Sequence, residues 1–362
     1  MINLGKKSLI INILKARLWL GFLILIIILF GCEYGQKVIS ITGTTMGTSY
    51  SIKIIDNNLL VNDENNLRHQ IDSLLVDINR QMSHYIPDSE ISLFNKHKSV
   101  LSFAVSSDFF KVVNKSQEIS QLTGGAFDVT IAPLTNYWGF GPAESSVVDN
   151  LPESSTVFKL KQQTGYQLLA AQDGALIKKH PDLTIDLSAI AKGYGVDAVH
   201  NHLIYIGLDN VLVEIGGEVH CSGVNANGKS WNVGIDTPQL NGTPGANLHS
   251  IIQVNDEAVA TSGDYRNFVI IDGKIYSHVI DPRSGFPTEN QVASATIVTK
   301  SCVEADALAT AVMILGEIEG LKLINSLPDA EAMLIIRIDK NEYRVTATDG
   351  MKERYVKETM IN

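Results

Sequence analysis

Apolar residues at Leu67, Ile71, Leu74, Leu75, Ile78 and Met82 recur three to four positions apart, the spacing that lines one face of a helix. A second helix is predicted around Phe109, Val112, Val113 and Ile119. Ser106 or Ser107 can cap its start, and Gly124-Gly125 can end it, because glycine takes the positive φ of a C-cap without steric cost. Elsewhere the period shortens. Val38 to Thr42 and Ser49 to Ile55 read as strands flanking a turn at Met46-Gly47-Thr48, and Asn210 to Glu214 and Glu218 to Ser222 as a pair kinked at Gly216-Gly217. Ile251 to Val254, Ala258 to Thr261, Phe268 to Ile271 and Lys274 to Val279 are further strands, with Asp272-Gly273 as a hairpin turn. Residues 141–166 and 236–249 lack periodicity and read as loops, the first of them on the surface. A helix over Ala305 to Leu315 stops at Gly316; a helix near 317–326 and strands near 332–338 and 342–347 complete the chain. Antiparallel groups of strands broken by helices predict an α+β fold.

The stretch Asp186 to Asp197 stands out from these elements. Leu183-Thr184-Ile185 is extended, so Asp186 falls where a strand gives way to a helix, and Ser188 is a good N-cap. Gly193 and Gly195 then sit inside the helix, each costing roughly 1 kcal/mol against alanine. A sequence accepts that cost where something approaches the backbone closely. Tight helix–sheet packing would do so, and so would an anionic ligand at the helix N-terminus.

Composition narrows the picture. The 362 residues, 45% apolar and 19% charged, fit an ordinary globular protein. A net charge of −10 argues against nucleic-acid binding. Lys6, Lys7, Lys15 and Arg17 precede an uncharged apolar run, Leu18 to Phe30. That run is too short for a comfortable membrane span and suits a signal peptide. It ends in Leu29-Phe30-Gly31-Cys32, which resembles a lipoprotein signal with Cys32 as the lipidated residue. Residues 1–32 are therefore read as targeting and 33–362 as the functional domain, outside the cytoplasm and lipid-anchored to the cell membrane on its periplasmic side. Cys221 and Cys302 lie in separate segments and are expected to be buried free thiols, although an exported compartment permits a disulfide. The sequence has no CxxC pair or His/Cys cluster to support zinc or iron–sulfur chemistry.

Asp186 to Tyr194 (DLSAIAKGY) resembles the core motif of the bacterial FAD:protein FMN transferases, flavin-attaching lipoproteins of the periplasm. Six further blocks follow the same family order: Met46-Gly47-Thr48, Gly124 to Thr130, Glu214 to Glu218, Ala260 to Asn267, Ser277 to Pro282 and Glu304 to Thr310. The resemblance implies a two-lobed domain of mostly antiparallel sheet with packed helices and the active site in the cleft between lobes. It assigns flavin contacts to Met46, Tyr85, Ala126, Phe127, Asp128, Asp186, Lys192 and Ile280. It assigns Mg²⁺ to Asp306 and Thr310 with the backbone carbonyl of Ala189, and Glu304 and Ala309 match neighbouring positions. Asp306 and Thr310 are four residues apart, so both face one way on a helix, and their oxygens are hard ligands suited to Mg²⁺. The plainer reading is an acid and a threonine on an ordinary amphipathic helix.

His278, with an ordinary pKa near 6.5, is the leading candidate to take a proton from a substrate hydroxyl. Asp264 is the second, although its Ser262-Gly263 turn could instead offer N–H groups to phosphate. The implied reaction is Mg²⁺-dependent transfer of FMN from FAD, as substrate, to a threonine or serine hydroxyl of a partner protein, releasing AMP. The implied partners are flavin-carrying subunits of membrane redox pumps and other periplasmic electron-transfer proteins. Two alternatives stand beside it: hydrolysis of FAD to FMN and AMP, and a non-catalytic FAD-holding lipoprotein.

Overall fold

A computed structural model describes residues 37–58, 60–142, 151–239, 245–265, 267–339 and 342–358. The predicted signal peptide and Cys32 lie outside the described residues. Among those described, no helix is long and apolar enough to cross a membrane.

Eight strands form one sheet in simple chain order: β1 (Lys37–Thr45), β2 (Thr48–Asp56), β3 (Val211–Ile215), β4 (Glu218–Ser222), β5 (Glu257–Gly263), β6 (Val292–Thr299), β7 (Glu331–Asp339) and β8 (Glu342–Ala347). Each is antiparallel to the next. Successive side chains along a strand point to opposite faces. One face, with Ile39, Ile41, Ile52 and Ile54, packs on helices α1 (Glu64–Met82) and α3 (Ala191–Tyr205). The other face, with Ile55, Val219, Cys221, Val259 and Val298, is covered by a three-stranded sheet of residues 231–236, 248–254 and 355–358. Helices α2 (Ser107–Leu122) and α4 (Cys302–Asn325) extend the first face into the largest core cluster.

The helices form where the apolar spacing puts them. Leu67, Ile71, Leu75, Ile78 and Met82 are the buried face of α1, whose start is capped by Asp63 accepting from Asn65 and Asn66 N–H. Ser106 caps α2, and Gly124 and Gly125 end it at φ of 59° and 80°. In α4 the chain breaks helical geometry at Gly316, with φ of 78°. The Asn290 amide donates to the Met313 carbonyl just before that break, at 2.8 Å. Cys221 and Cys302 are both buried and free, as expected.

Several elements differ from the sequence reading. Ser188 does not cap α3: the helix starts at Ala191, and Ser188 sits in a turn, donating its N–H and hydroxyl to Asp186. Leu183 to Ile185 joins no strand ladder among the described residues; the Asn95 side chain instead bonds both the N–H and the carbonyl of Ile185 at 2.8 Å. The polar span 141–166 contains a helix at Ser154–Lys161, which buries Val157 against Leu134, Trp138 and Ile280. β6 has no counterpart in the sequence pattern, because all eight of its residues are buried, which removes the alternation that marks a half-exposed strand. The strands at 169–172, 175–178 and 231–236 were also unanticipated.

Candidate active site

A cleft of about 380 Å³ opens where α3, α4 and β5 meet the segments at 126–140 and 278–282. Tyr85, Ala126, Phe127 and Asp128 line one part of it, and Asp186, Ala189 and Lys192 another; His278, Ile280, Asp306 and Thr310 complete the predicted set there. Chain segments 225 residues apart in sequence, from Tyr85 to Thr310, are thus brought to one space.

The apolar wall has rigid support. Phe127 is buried in the main core, while Tyr85 is exposed at the rim. The Asp128 carboxylate accepts from the Thr130 N–H at 2.8 Å, its hydroxyl at 2.7 Å and the Tyr166 N–H at 2.7 Å. Burial pushes its pKa up, against the pull of those bonds. Asp128 therefore braces the loop as well as lining the cleft. Asp186 binds the Ser188 turn and lies 3.4 Å from His84 Nδ1. Ile280 is buried and shares a small cluster with Trp138, whose indole N–H donates to the Gly285 carbonyl at 2.9 Å.

At the opposite side, α3 and α4 touch at glycine. A Cβ on Gly193 would stand 2.3 Å from the Cys302 carbonyl oxygen, and one on Gly195 2.8 Å from Met46 Cε. The helix glycines thus serve close packing: Gly193 against α4, and Gly195 against the Met46 turn and Ile215 of the sheet. Met46 itself holds φ of 50° in the two-residue hairpin turn between β1 and β2. It borders a neighbouring groove rather than the cleft itself.

The Gly193 N–H, which a regular helix would give to the Ala189 carbonyl, goes instead to Asp306 Oδ2 at 3.0 Å. Thr310 Oγ1 lies 3.2 Å from Ser262 Oγ. Asp306, Thr310 and Ala189 line one cleft, and between them they offer a carboxylate, a hydroxyl and a main-chain carbonyl, all hard oxygen donors. Among the described residues no three His, Cys, Asp or Glu side chains cluster as a metal cage. Three oxygen donors fit Mg²⁺, which usually keeps several waters and takes substrate oxygens. Ala309 is fully buried and Glu304 half-buried, and neither lines the cleft.

Lys192 pairs tightly with Glu218 and reaches to 3.9 Å of Asp306 Oδ1. Burial by itself would lower the lysine pKa, but the Asp306 and Glu218 carboxylates outweigh it and hold the ammonium charged. Glu218 is 3% exposed, and its Oε2 has no hydrogen-bond partner among the described residues. Burial pushes its carboxyl up while Lys192 pulls the other way. Glu218 has no role in the sequence reading; a carboxylate directly after Gly216-Gly217, at the head of a buried strand, is the available signal.

His278 Nδ1 lies 2.9 Å from the Asn267 carbonyl, which can only accept. In the neutral ring Nδ1 therefore carries the hydrogen and Nε2 keeps its lone pair. Burial lowers the pKa of His278, opposed by that carbonyl. Asp264 is placed differently: Arg337 holds its carboxylate in a two-pronged pair at 2.9 and 3.0 Å, outside the cleft lining among the described residues. Its charge nonetheless favours protonation of His278.

An α+β fold whose cleft gathers aromatic side chains, hard-oxygen donors and a buried histidine defines a protein suited to an anionic, ring-bearing ligand. The chain belongs to the ApbE family, whose family model matches residues 46–334. It is 41% identical to the FAD:protein FMN transferase of Vibrio cholerae serotype O1 over 93% of this chain and 96% of that protein. It is 34% identical to the Escherichia coli K12 protein of the same description, over 78% and 80%. Among solved structures, the flavin transferase ApbE from Vibrio cholerae superposes with a TM-score of 0.79 at 39% identity, covering 88% of this chain and all of that one. The apo flavinyl transferase ApbE of Pseudomonas stutzeri gives 0.80 at 31% identity, covering 91% and 100%.

Proposed function

We infer that this protein is an FAD:protein FMN transferase that uses Mg²⁺ and a threonine or serine hydroxyl of its acceptor. The observation that carries the reading is the convergence of Asp306, Thr310 and the Ala189 carbonyl with His278 on one aromatic-walled cleft. Phe127 and Tyr85 are suited to the flavin ring, since an aromatic face stacks on a flat heterocycle. Asp306, Thr310 and the Ala189 carbonyl would hold Mg²⁺, which when bound neutralises charge on the FAD diphosphate and on departing AMP. Lys192, kept charged by its two carboxylates, adds positive potential on the same side.

In the transfer step the acceptor hydroxyl attacks the phosphorus on the FMN side of the diphosphate. Its proton passes to His278 Nε2. The bond from that phosphorus to the bridging oxygen breaks, the oxygen leaves with AMP, and a phosphoester joins FMN to the acceptor. Positioning and charge compensation supply most of the acceleration in such transfers. Burial of His278 keeps its ring unprotonated at neutral pH, the state a base requires.

The leader pattern supports a lipid anchor at Cys32 on the periplasmic side of the membrane. A flavin-carrying subunit of a membrane redox pump, or a related periplasmic electron-transfer protein, is the acceptor that this placement favours. The test mixes protein, FAD and Mg²⁺ with and without such an acceptor. AMP formed only with acceptor, and one FMN added to the acceptor mass, supports transfer. AMP without acceptor means hydrolysis, and FAD uptake without AMP in either arm means a flavin-holding protein.

A further inference from the structure

Helices α3 and α4 meet through a ladder with a fixed step. Asp197 Oδ1 accepts from the Cys302 N–H at 2.8 Å, and Oδ2 from the Val303 N–H at 2.9 Å. Four residues back on α3 and four forward on α4, the Gly193 N–H donates to Asp306 at 3.0 Å. A further four in each direction reaches Ala189 and Thr310, which line the cleft together. Four residues are about one helical turn, so the helices run antiparallel and the first two pairs are successive rungs, while Ala189 lies in the turn that leads into α3. Ala189 and Thr310, one step further on, belong to the proposed metal set, and the second rung holds its carboxylate.

The first rung is chemically the strongest. The leading N–H groups of a helix lack partners within it. Ser301 occupies the N-cap position of α4, yet Asp197 supplies the cap bonds from the neighbouring helix. A carboxylate there also meets the positive end of the helix dipole. His220 Nδ1, 2.6 Å from Asp197 Oδ1, holds the carboxylate from behind, and the His220 ring stacks on His200 at 3.8 Å. Asp197 and His220 are 7% and 9% exposed, so water offers little substitute for either contact.

We propose that Asp197, held by His220, is a positioning residue that fixes the register of α4 against α3 and thereby sets the spacing of the Ala189, Asp306 and Thr310 oxygens for the divalent cation. This rests on the Mg²⁺ reading given above. Residues that orient metal ligands from behind typically change affinity about 10–100-fold when replaced. The flavin wall at Tyr85, Phe127 and Asp128 lies on other segments, so FAD affinity without metal should not follow.

The experiment titrates Mn²⁺, as a paramagnetic stand-in for Mg²⁺, into the FAD-bound full-length protein and follows water-proton relaxation. FAD affinity is measured separately in EDTA by flavin fluorescence. Asp197→Asn is expected to weaken Mn²⁺ binding about 10–100-fold with FAD affinity in EDTA unchanged. His220→Phe, which removes the supporting donor and keeps an aromatic ring against His200, is expected to shift it in the same direction by less. Wild-type Mn²⁺ affinity in Asp197→Asn, alongside loss of Mn²⁺ binding in Asp306→Ala, overturns the positioning role and leaves the metal site standing. Unchanged Mn²⁺ binding in Asp306→Ala overturns the metal site and the positioning role with it. A parallel fall in Mn²⁺ and FAD affinity in Asp197→Asn makes the residue a general scaffold and also overturns the proposal. If Asp197→Asn does not fold, His220→Phe decides: weakened Mn²⁺ binding supports the role, and wild-type binding overturns it.

Discussion

Replacing Gly193 by alanine tests the seam between α3 and α4 with the smallest possible perturbation. The new methyl would sit 2.3 Å from the Cys302 carbonyl oxygen, 2.7 Å from its carbon and 2.8 Å from Asp306 Cβ. Two of these atoms are backbone and the third is the root of a side chain, so none can swing aside. Relief requires the helices to part by about 1 Å, the deficit from ordinary van der Waals separation. Overpacking of this kind costs about 1–3 kcal/mol, and alanine returns about 1 kcal/mol of helix propensity. The net loss of about 0–2 kcal/mol should lower Tm by only a few degrees. Chemistry should suffer more. The same displacement breaks the Gly193–Asp306 bond and moves Asp306 from the Ala189 carbonyl, and a misplacement of about 1 Å can cost on the order of 100-fold in rate. AMP release at saturating FAD, measured across a Mg²⁺ series beside a thermal melt, separates the two effects. A folded Gly193→Ala protein that keeps its rate to within about tenfold, a loss under about 1.4 kcal/mol, would refute the reasoning.

His278→Asn should retain FAD binding and lose transfer by roughly 10²–10⁴-fold, the usual share of a general base. Because burial lowers the His278 pKa, the wild-type rate should climb with pH through a value below the ordinary 6.5 and then level off; persistence of that limb in the variant would remove His278 from the base role. Glu218→Gln takes a charge from the tight Lys192 pair and leaves Lys192 to Asp306, so the Mg²⁺ needed for half-maximal AMP release should rise, and an unchanged requirement would show the pair to be irrelevant to metal. His200, stacked on His220, has its pKa pushed down to about 4 by burial and by that neighbour. The unfolded chain then binds a proton that the native state refuses, so stability should fall as pH drops from about 6.5 towards 4. His200→Phe should flatten that slope in denaturant midpoints taken at both ends of the window, and an unaltered slope would assign the acid sensitivity to other groups.

Sequence alone determined those elements in which one residue's neighbours in the chain decide its place. The apolar face of α1, the Ser106 cap and glycine stop of α2, and the break at Gly316 follow from local spacing and backbone preference. Motif order brought His278, Asp306, Thr310, Phe127 and Lys192 forward as one set, and all five line one cleft. Other features belong to the tertiary structure because their partners are distant in sequence. β6 carries no alternation when both its faces are covered, and Ile185 is extended through Asn95, ninety positions away, rather than through a strand ladder. Ser188 could have capped a helix, but the Asp186 carboxylate takes both its hydrogens. Asp264, the second candidate base by residue type, is held by Arg337, a partner that lies 73 positions away in the chain. Spacing within one segment cannot show that Asp197 caps a helix that begins 105 residues later, because hydrogen bonds depend on distance in space. The chemistry was legible in residue types, and its geometry came only from packing two helices close enough that glycine alone fits between them.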